Sequence, residues 1–257
     1  MGTLVSHIFP GTMFFFLGWW YLFNCLRNYH LQGVYIHQNV FSKTLEPLGK
    51  IILCVAGMFS QCFSAHWLLF IKEEDPDSVD WQHFTMYLLF FITGIFDLVC
   101  PRYGKNGRTL WYMSYIAAYL LESALFYGHT HDREILDAQC HLLITYSGVA
   151  VSGTLVYLLY NPSSIIASVL YSCLLVLHGI WFCEVGFIIY SPFPDTLWKL
   201  DNAAHAMLAD VFFCWTFIGV VLLMLVIALI MNGYYSRRAN HVINTRPLEM
   251  NGLLDSD

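Results

Sequence analysis

A chain of 257 residues that is 58% hydrophobic and 12% charged, with a mean hydropathy of +0.57, carries about half the charge of a soluble domain. This composition excludes a soluble globular protein, and the net charge of −6 gives no sign of a nucleic-acid partner. The chain reads as all-α, a polytopic membrane protein.

Seven apolar runs follow in chain order, at about 8–27, 46–71, 83–100, 110–128, 139–160, 164–190 and 206–233. Each is long enough to cross a hydrocarbon core of ~30 Å. They predict a seven-transmembrane-helix bundle over residues 1–233, followed by a short polar cytosolic tail at 234–257. The first run has no basic residue before it and no small-residue cleavage site after it, so it reads as a retained helix, not a signal peptide.

Lys and Arg set the orientation. Arg27, Lys43, Lys50, Arg102, Lys105, Arg108, Arg237, Arg238 and Arg246 fall on one side, and Lys72, Arg133 and Lys199 on the other. Nine against three predicts a cytosolic C-terminus and, with an odd number of spans, an exoplasmic N-terminus. The eight cysteines lie within spans or at their ends, where they behave as small apolar residues, and no disulfide framework is visible. Trp19-Trp20-Tyr21, Trp67, Trp81, Trp111-Tyr112 and Trp198 cluster near span ends as an interfacial belt.

Ionisable residues inside spans are costly and mark sites by default. Odd-numbered spans start outside and even-numbered spans finish there. His83 opens the third span, Glu122 and His129 end the fourth, His141 begins the fifth, Glu184 lies late in the sixth, and His205 and Asp210 begin the seventh. All therefore reach one exoplasmic layer, which His66 near the end of the second span could join. The densest polar run, Gly128 to His141, places Glu134, Asp137 and His141 on one helical face.

Neutral imidazoles backed by carboxylates are the usual ligand set of zinc. The expected arrangement has His83, His129, His141 and His205 as metal ligands and Glu122 or Glu184 as catalytic base. His131, Glu134, Asp137 and Asp210 stand behind them, and the cofactor is Zn. No established zinc signature such as H-E-x-x-H occurs. Asp97, about 21 Å below His83 along its helix, is expected to pair with Arg102 or Arg108. His178, halfway along the sixth span, is ambiguous.

Pro10-Gly11-Thr12 before an aromatic run with Gly18-Trp19-Trp20, Ser42-Lys43-Thr44-Leu45, Trp81 through Tyr87 and Phe126-Tyr127-Gly128-His129-Thr130-His131 resemble the transmembrane protein 45 family, also called domain of unknown function 716. The resemblance covers nearly the whole chain. It carries the family's polar pattern onto His83, Glu122, His129, His131, Arg133, Glu134, Asp137 and His141. Gly128 stands where that family commonly has Asn and Asp132 where it has Gly, while His178 and Glu184 fall where Gln is expected. The resemblance implies a seven-helix membrane protein and supplies no activity.

Three functions compete. A metal-dependent hydrolase acting on a lipid-like substrate suits a water-activating ion at membrane depth. A non-enzymatic scaffold or trafficking protein would use the same polar cluster as a structural network. A small-solute or ion transporter is the third, weakened because no helix is broken by paired Gly and Pro at midplane and no inverted repeat is apparent.

Overall fold

In the computed structural model the described residues are 3–32, 44–64, 78–192 and 197–254. His66, Trp67 and the acidic run after the second span lie outside them. The described residues are helical, with no strand: α1 Leu4–Gln32, α2 Leu45–Ser64, α3 Ser78–Val99, α4 Gly104–Gly128, α5 Ile135–Tyr160, α6 Ile165–Ile189 and α7 Ala203–Leu254. Each of the seven expected runs overlaps one helix, the second as far as Ser64, its remainder lying outside the described residues. The tail expected from Tyr234 onward continues α7 to Leu254.

Five stretches among the described residues are long and apolar enough to cross a membrane. One of them, Asp80–Gly128, contains both α3 and α4. A 3-10 turn at Cys100–Tyr103 divides it, and Gly104 at φ 54 lets the chain reverse at no Cβ cost. α1 has 29 residues but is not among the five, because Trp19, Trp20, Tyr21, Asn24 and Arg27 dilute its apolar character. The protein is thus an integral, multi-pass membrane protein whose helices contact lipid.

α6 is the central post, buried over 72% of its apolar window, whereas α7, at 11%, presents its most apolar surface outward. α1 packs along α6, α2 along α3, and α5 against both α4 and α6. The α1–α6 contact depends on small residues, as membrane helix pairs do. A Cβ on Gly11 would sit 2.8 Å from the Gly179 carbonyl oxygen, and one on Gly179 would sit 2.6 Å from the Gly11 carbonyl oxygen. Toward the start of α1, a Cβ on Gly186 would sit 3.0 Å from that of His7, so the same close approach seats this histidine in the bundle.

The loop between α4 and α5 explains one feature of the sequence. Asp132 has φ 60, the left-handed region that Gly enters freely and Asp tolerates better than most residues. The Gly common at this position in the resembled family suits that backbone.

Toward the opposite end, Asp97 corrects the expected pairing. It forms an ion pair with Lys50 of α2, not with Arg102 or Arg108. It also accepts hydrogen bonds from the Trp111 indole at 2.5 Å and the Tyr115 hydroxyl at 3.0 Å. The physical reason is packing: α2 lies on α3 and carries Lys50 inward, where it is buried, while Arg102 stays exposed in the turn.

Candidate functional site

Four imidazoles from four helices gather at the start of α1, α3 and α5 and the end of α4: His7, His83, His129 and His141. All four are buried. Ring centroids lie 5.6 Å apart for His7 and His141, 6.3 Å for His7 and His83, 5.7 Å for His83 and His129, and 4.9 Å for His129 and His141.

Hydrogen bonds fix the state of each ring. His141 Nδ1 is 2.8 Å from the Asp137 carboxylate and 2.9 Å from its carbonyl oxygen. The carbonyl oxygen accepts, so Nδ1 carries a proton and Nε2 is the nitrogen left for a further partner, while the carboxylate Oδ1 lies at ion-contact distance without a hydrogen bond among the described residues. His7 Nδ1 is 3.0 Å from the Thr3 carbonyl oxygen, which by the same logic leaves its Nε2 as a lone pair. The two Nε2 atoms face each other at 3.4 Å. Two lone pairs at that distance repel unless a proton or a cation lies between them.

His129 is held differently. Its Nδ1 meets the Gln82 amide oxygen at 2.5 Å, and its Nε2 accepts from the Arg133 guanidinium at 2.7 Å. Arg133 also donates to Asp137 at 2.9 Å, closing a ring of contacts from Gln82 through His129, Arg133 and Asp137 to His141. Burial, with His141 and Arg133 nearby, pushes His129 down to about 3, so its ring is neutral at physiological pH. Both of its nitrogens are engaged, and it serves as a brace.

Below this layer a small cavity of about 30 Å³, room for one or two waters, is bounded by His7, His83 and Glu122. Glu122 is almost fully buried, and its Oε2 has no hydrogen-bond partner among the described residues. The nearest imidazole, His178, places Nε2 3.4 Å from that oxygen and Nδ1 2.6 Å from the Ser147 hydroxyl. The ambiguous mid-span histidine therefore belongs beside Glu122.

Other expected members lie elsewhere. Glu184 accepts from the Thr216 hydroxyl at 2.7 Å across the α6–α7 contact. Asp210 accepts from Gln139 at 2.6 Å. His205 Nδ1 accepts the Lys199 amide at 2.8 Å and its ring meets Trp198 edge-on, which fixes the turn before α7. His131 is exposed, its Nδ1 3.2 Å from the Gly128 carbonyl oxygen, and Glu134 is the exposed residue that precedes α5. Among the described residues, no three His, Cys, Asp or Glu side chains form a ready-made metal-binding group.

His7, Gln82 and Arg133 were absent from the expected ligand set. His7 lies one residue before the first apolar run, yet it stands at the start of its helix, as His83 and His141 do of theirs. The topological reasoning that gathered His83 and His141 includes it once α1 is extended to Leu4.

Residues 109–229, from α4 into α7, match the family of unknown function DUF716. Over those residues, just under half of its length, the chain is similar to this family. Among the curated proteins similar to the chain is transmembrane epididymal protein 1 of Rattus norvegicus, 23% identical over 233 residues, covering 84% of the chain and 76% of the relative. The Homo sapiens protein of the same name is 27% identical over 175 residues, 64% of the chain and 59% of the relative. Transmembrane epididymal protein 1A of Mus musculus is 21% identical over 233 residues, with coverages of 84% and 76%. The DUF716 match contains Glu122, His129, Asp137, His141 and His178, whereas His7 and His83 precede it.

Proposed function

We propose that this protein crosses the membrane seven times, N-terminus exoplasmic and C-terminus cytosolic, and holds a divalent metal, zinc by its ligand chemistry, at the histidine layer. Hydrolysis of a lipid-like substrate is the reaction assigned to it. The observation that carries the reading is the His7–His141 pair: two anchored imidazoles with lone pairs facing at 3.4 Å. Two imidazoles bound to one tetrahedral zinc at 2.0–2.1 Å hold their nitrogens about 3.3 Å apart. His7 and His141 have the spacing of two ligands to such an ion, and a third would have to move in, since no three donors converge among the described residues.

His7 and His141 would hold it, with His83 as the third ligand. The Asp137 carbonyl oxygen accepts from Nδ1 of His141, and its carboxylate places negative charge 2.8 Å behind the ring, where a ligating histidine commonly has a carboxylate. A bound zinc would supply a water acidified to near neutrality. Glu122, which borders the adjoining cavity, would take the proton from that water, and His178, itself held by Ser147, orients its carboxyl.

One observation favours the rival, a scaffold whose polar cluster is purely structural: both nitrogens of His129 are satisfied by protein groups. Elemental analysis of protein purified without chelator separates the two. The metal reading expects about one zinc per chain, lost in the double variant His7→Ala with His141→Ala. Folded wild-type protein free of zinc and unable to take it up would establish the scaffold.

A further inference from the structure

α1 packs on α6 and α2 on α3, so α1 and α2 stand apart and leave between them a cleft of about 860 Å³. It runs along α1 from Phe9 to Phe23, about 21 Å at 1.5 Å per residue. One leaflet of hydrocarbon is about 15 Å deep. The cleft is therefore long enough to take an extended chain.

Its polar groups are already spent on the protein. Thr12 donates to the Phe9 carbonyl at 2.8 Å, Glu46 accepts from the Trp20 indole at 2.7 Å, and Lys50 is paired with Asp97. What remains facing the cleft is aromatic and aliphatic. A polar solute would find few partners there, whereas an alkyl chain needs none.

Polarity changes at the upper end. Phe9 also borders a second cavity of about 210 Å³, which contains Thr3, Ser6, Ser60 and Gln61. Ser6 and Tyr87 are shared in turn between that cavity and the one beside His7, His83 and Glu122. The Phe9 and Tyr87 rings, 6.1 Å between centroids, stand at the junction. With Thr3, Ser6, Ser60 and Gln61 bordering the upper cavity and not the cleft, the succession suits an amphiphile entering tail first.

We propose that the α1–α2 cleft binds one acyl chain of an exoplasmic-leaflet lipid and presents its polar end to the histidine layer. The leaflet and the status of this lipid as substrate rest on the topology and hydrolytic reading above; binding of the chain does not. Gly49 lies on the cleft floor, and a Cβ added there would meet no described atom within 4 Å, so a larger side chain fills the cleft without striking the backbone. Gly153 on α5 is equally open and lies outside the cleft, which makes it the control.

The test uses full-length protein in nanodiscs and a lysophosphatidylcholine carrying a diazirine in its acyl chain. Adducts are expected on α1 and α2 peptides containing Phe16 and Leu53, with loss of most of that labelling in Gly49→Phe and none in Gly153→Phe. Leu53→Trp, at a half-exposed cleft position, repeats the test should Gly49→Phe fold poorly. Labelling that is unchanged in the folded variants, or spread equally over the outer face of α7, overturns the proposal. Labelling that persists in zinc-free His7→Ala with His141→Ala protein keeps the chain site separate from the metal. Adducts in place on a wild-type protein that binds no zinc would sink the hydrolytic reading alone.

Discussion

Asp137 Oδ1 lies 2.8 Å from Nδ1 of His141, one turn further along α5, while Asp137 Oδ2 lies 2.9 Å from Nη1 of Arg133. One carboxylate thus lies against a buried imidazole and neutralises the guanidinium that braces His129. Asp137→Asn keeps the shape and removes the charge. Under the metal reading its zinc affinity should fall about 10–100-fold, the usual cost of losing a partner behind a ligating histidine. Competitive titration against a fluorescent chelator measures this, and an unchanged affinity would count against His141 as a ligand.

Glu122 separates a working site from a structural network. Its Oε2 is buried without a hydrogen bond among the described residues, and an unsatisfied buried polar atom costs about 1–3 kcal/mol. Glu122→Leu should therefore raise thermal stability while abolishing hydrolysis. His178 keeps its bond to Ser147 in the variant. A lowered melting temperature would mean that Glu122 contributes to stability, as the scaffold reading requires.

The backbone at Asp132 gives a prediction free of any functional assumption. At φ 60, Asp132→Gly should be tolerated or mildly stabilising, whereas Asp132→Val should cost about 1–2 kcal/mol or more. Thermal melts in detergent settle the order. Equal stability of the two variants would mean that the loop relaxes out of the left-handed region.

Helix number and the convergence of His83, Glu122, His129 and His141 were legible in the sequence, because apolar run length and alternating span direction determine both. Asp97 shows where such reasoning stops. Arg102 and Arg108 are near it in sequence, but the partner comes from α2, and only helix packing decides that. Glu184 and Asp210 fall in the right layer, yet they face the α6–α7 contact and Gln139; depth along a helix was predictable and direction around it was not. His7 was missed for a simpler reason, a helix boundary drawn a few residues late.

Acid should weaken the fold through His129. Burial, His141, Arg133 and His83 hold its folded pKa near 3, while Asp137 opposes them. The unfolded value is near 6.5. Between those values the unfolded chain binds a proton that the folded chain refuses, so stability is full above pH 6.5 and declines as pH falls toward 3. In chelator-treated protein, melting temperature should drop through that window, and His129→Gln should make the slope shallower. An identical slope in the variant would assign the acid sensitivity to other groups.

Topology is the prediction on which the leaflet argument depends. Nine Lys and Arg residues against three predict a cytosolic C-terminus. An epitope after Asp257 should become accessible in intact cells only when the plasma membrane is permeabilised. One inserted between Lys72 and Asp77 should stay protected when only the plasma membrane is opened if the protein resides in an organelle, or be accessible without permeabilisation if it resides at the surface. Both tags on one face would imply an even number of crossings between them. α1, the helix that brings His7 to the site, lies outside that interval, so a third epitope before Leu4 completes the test. If that tag shares the cytosolic face, His7 and His141 could not both start their helices from the exoplasmic side, and the seven-span reading would fall.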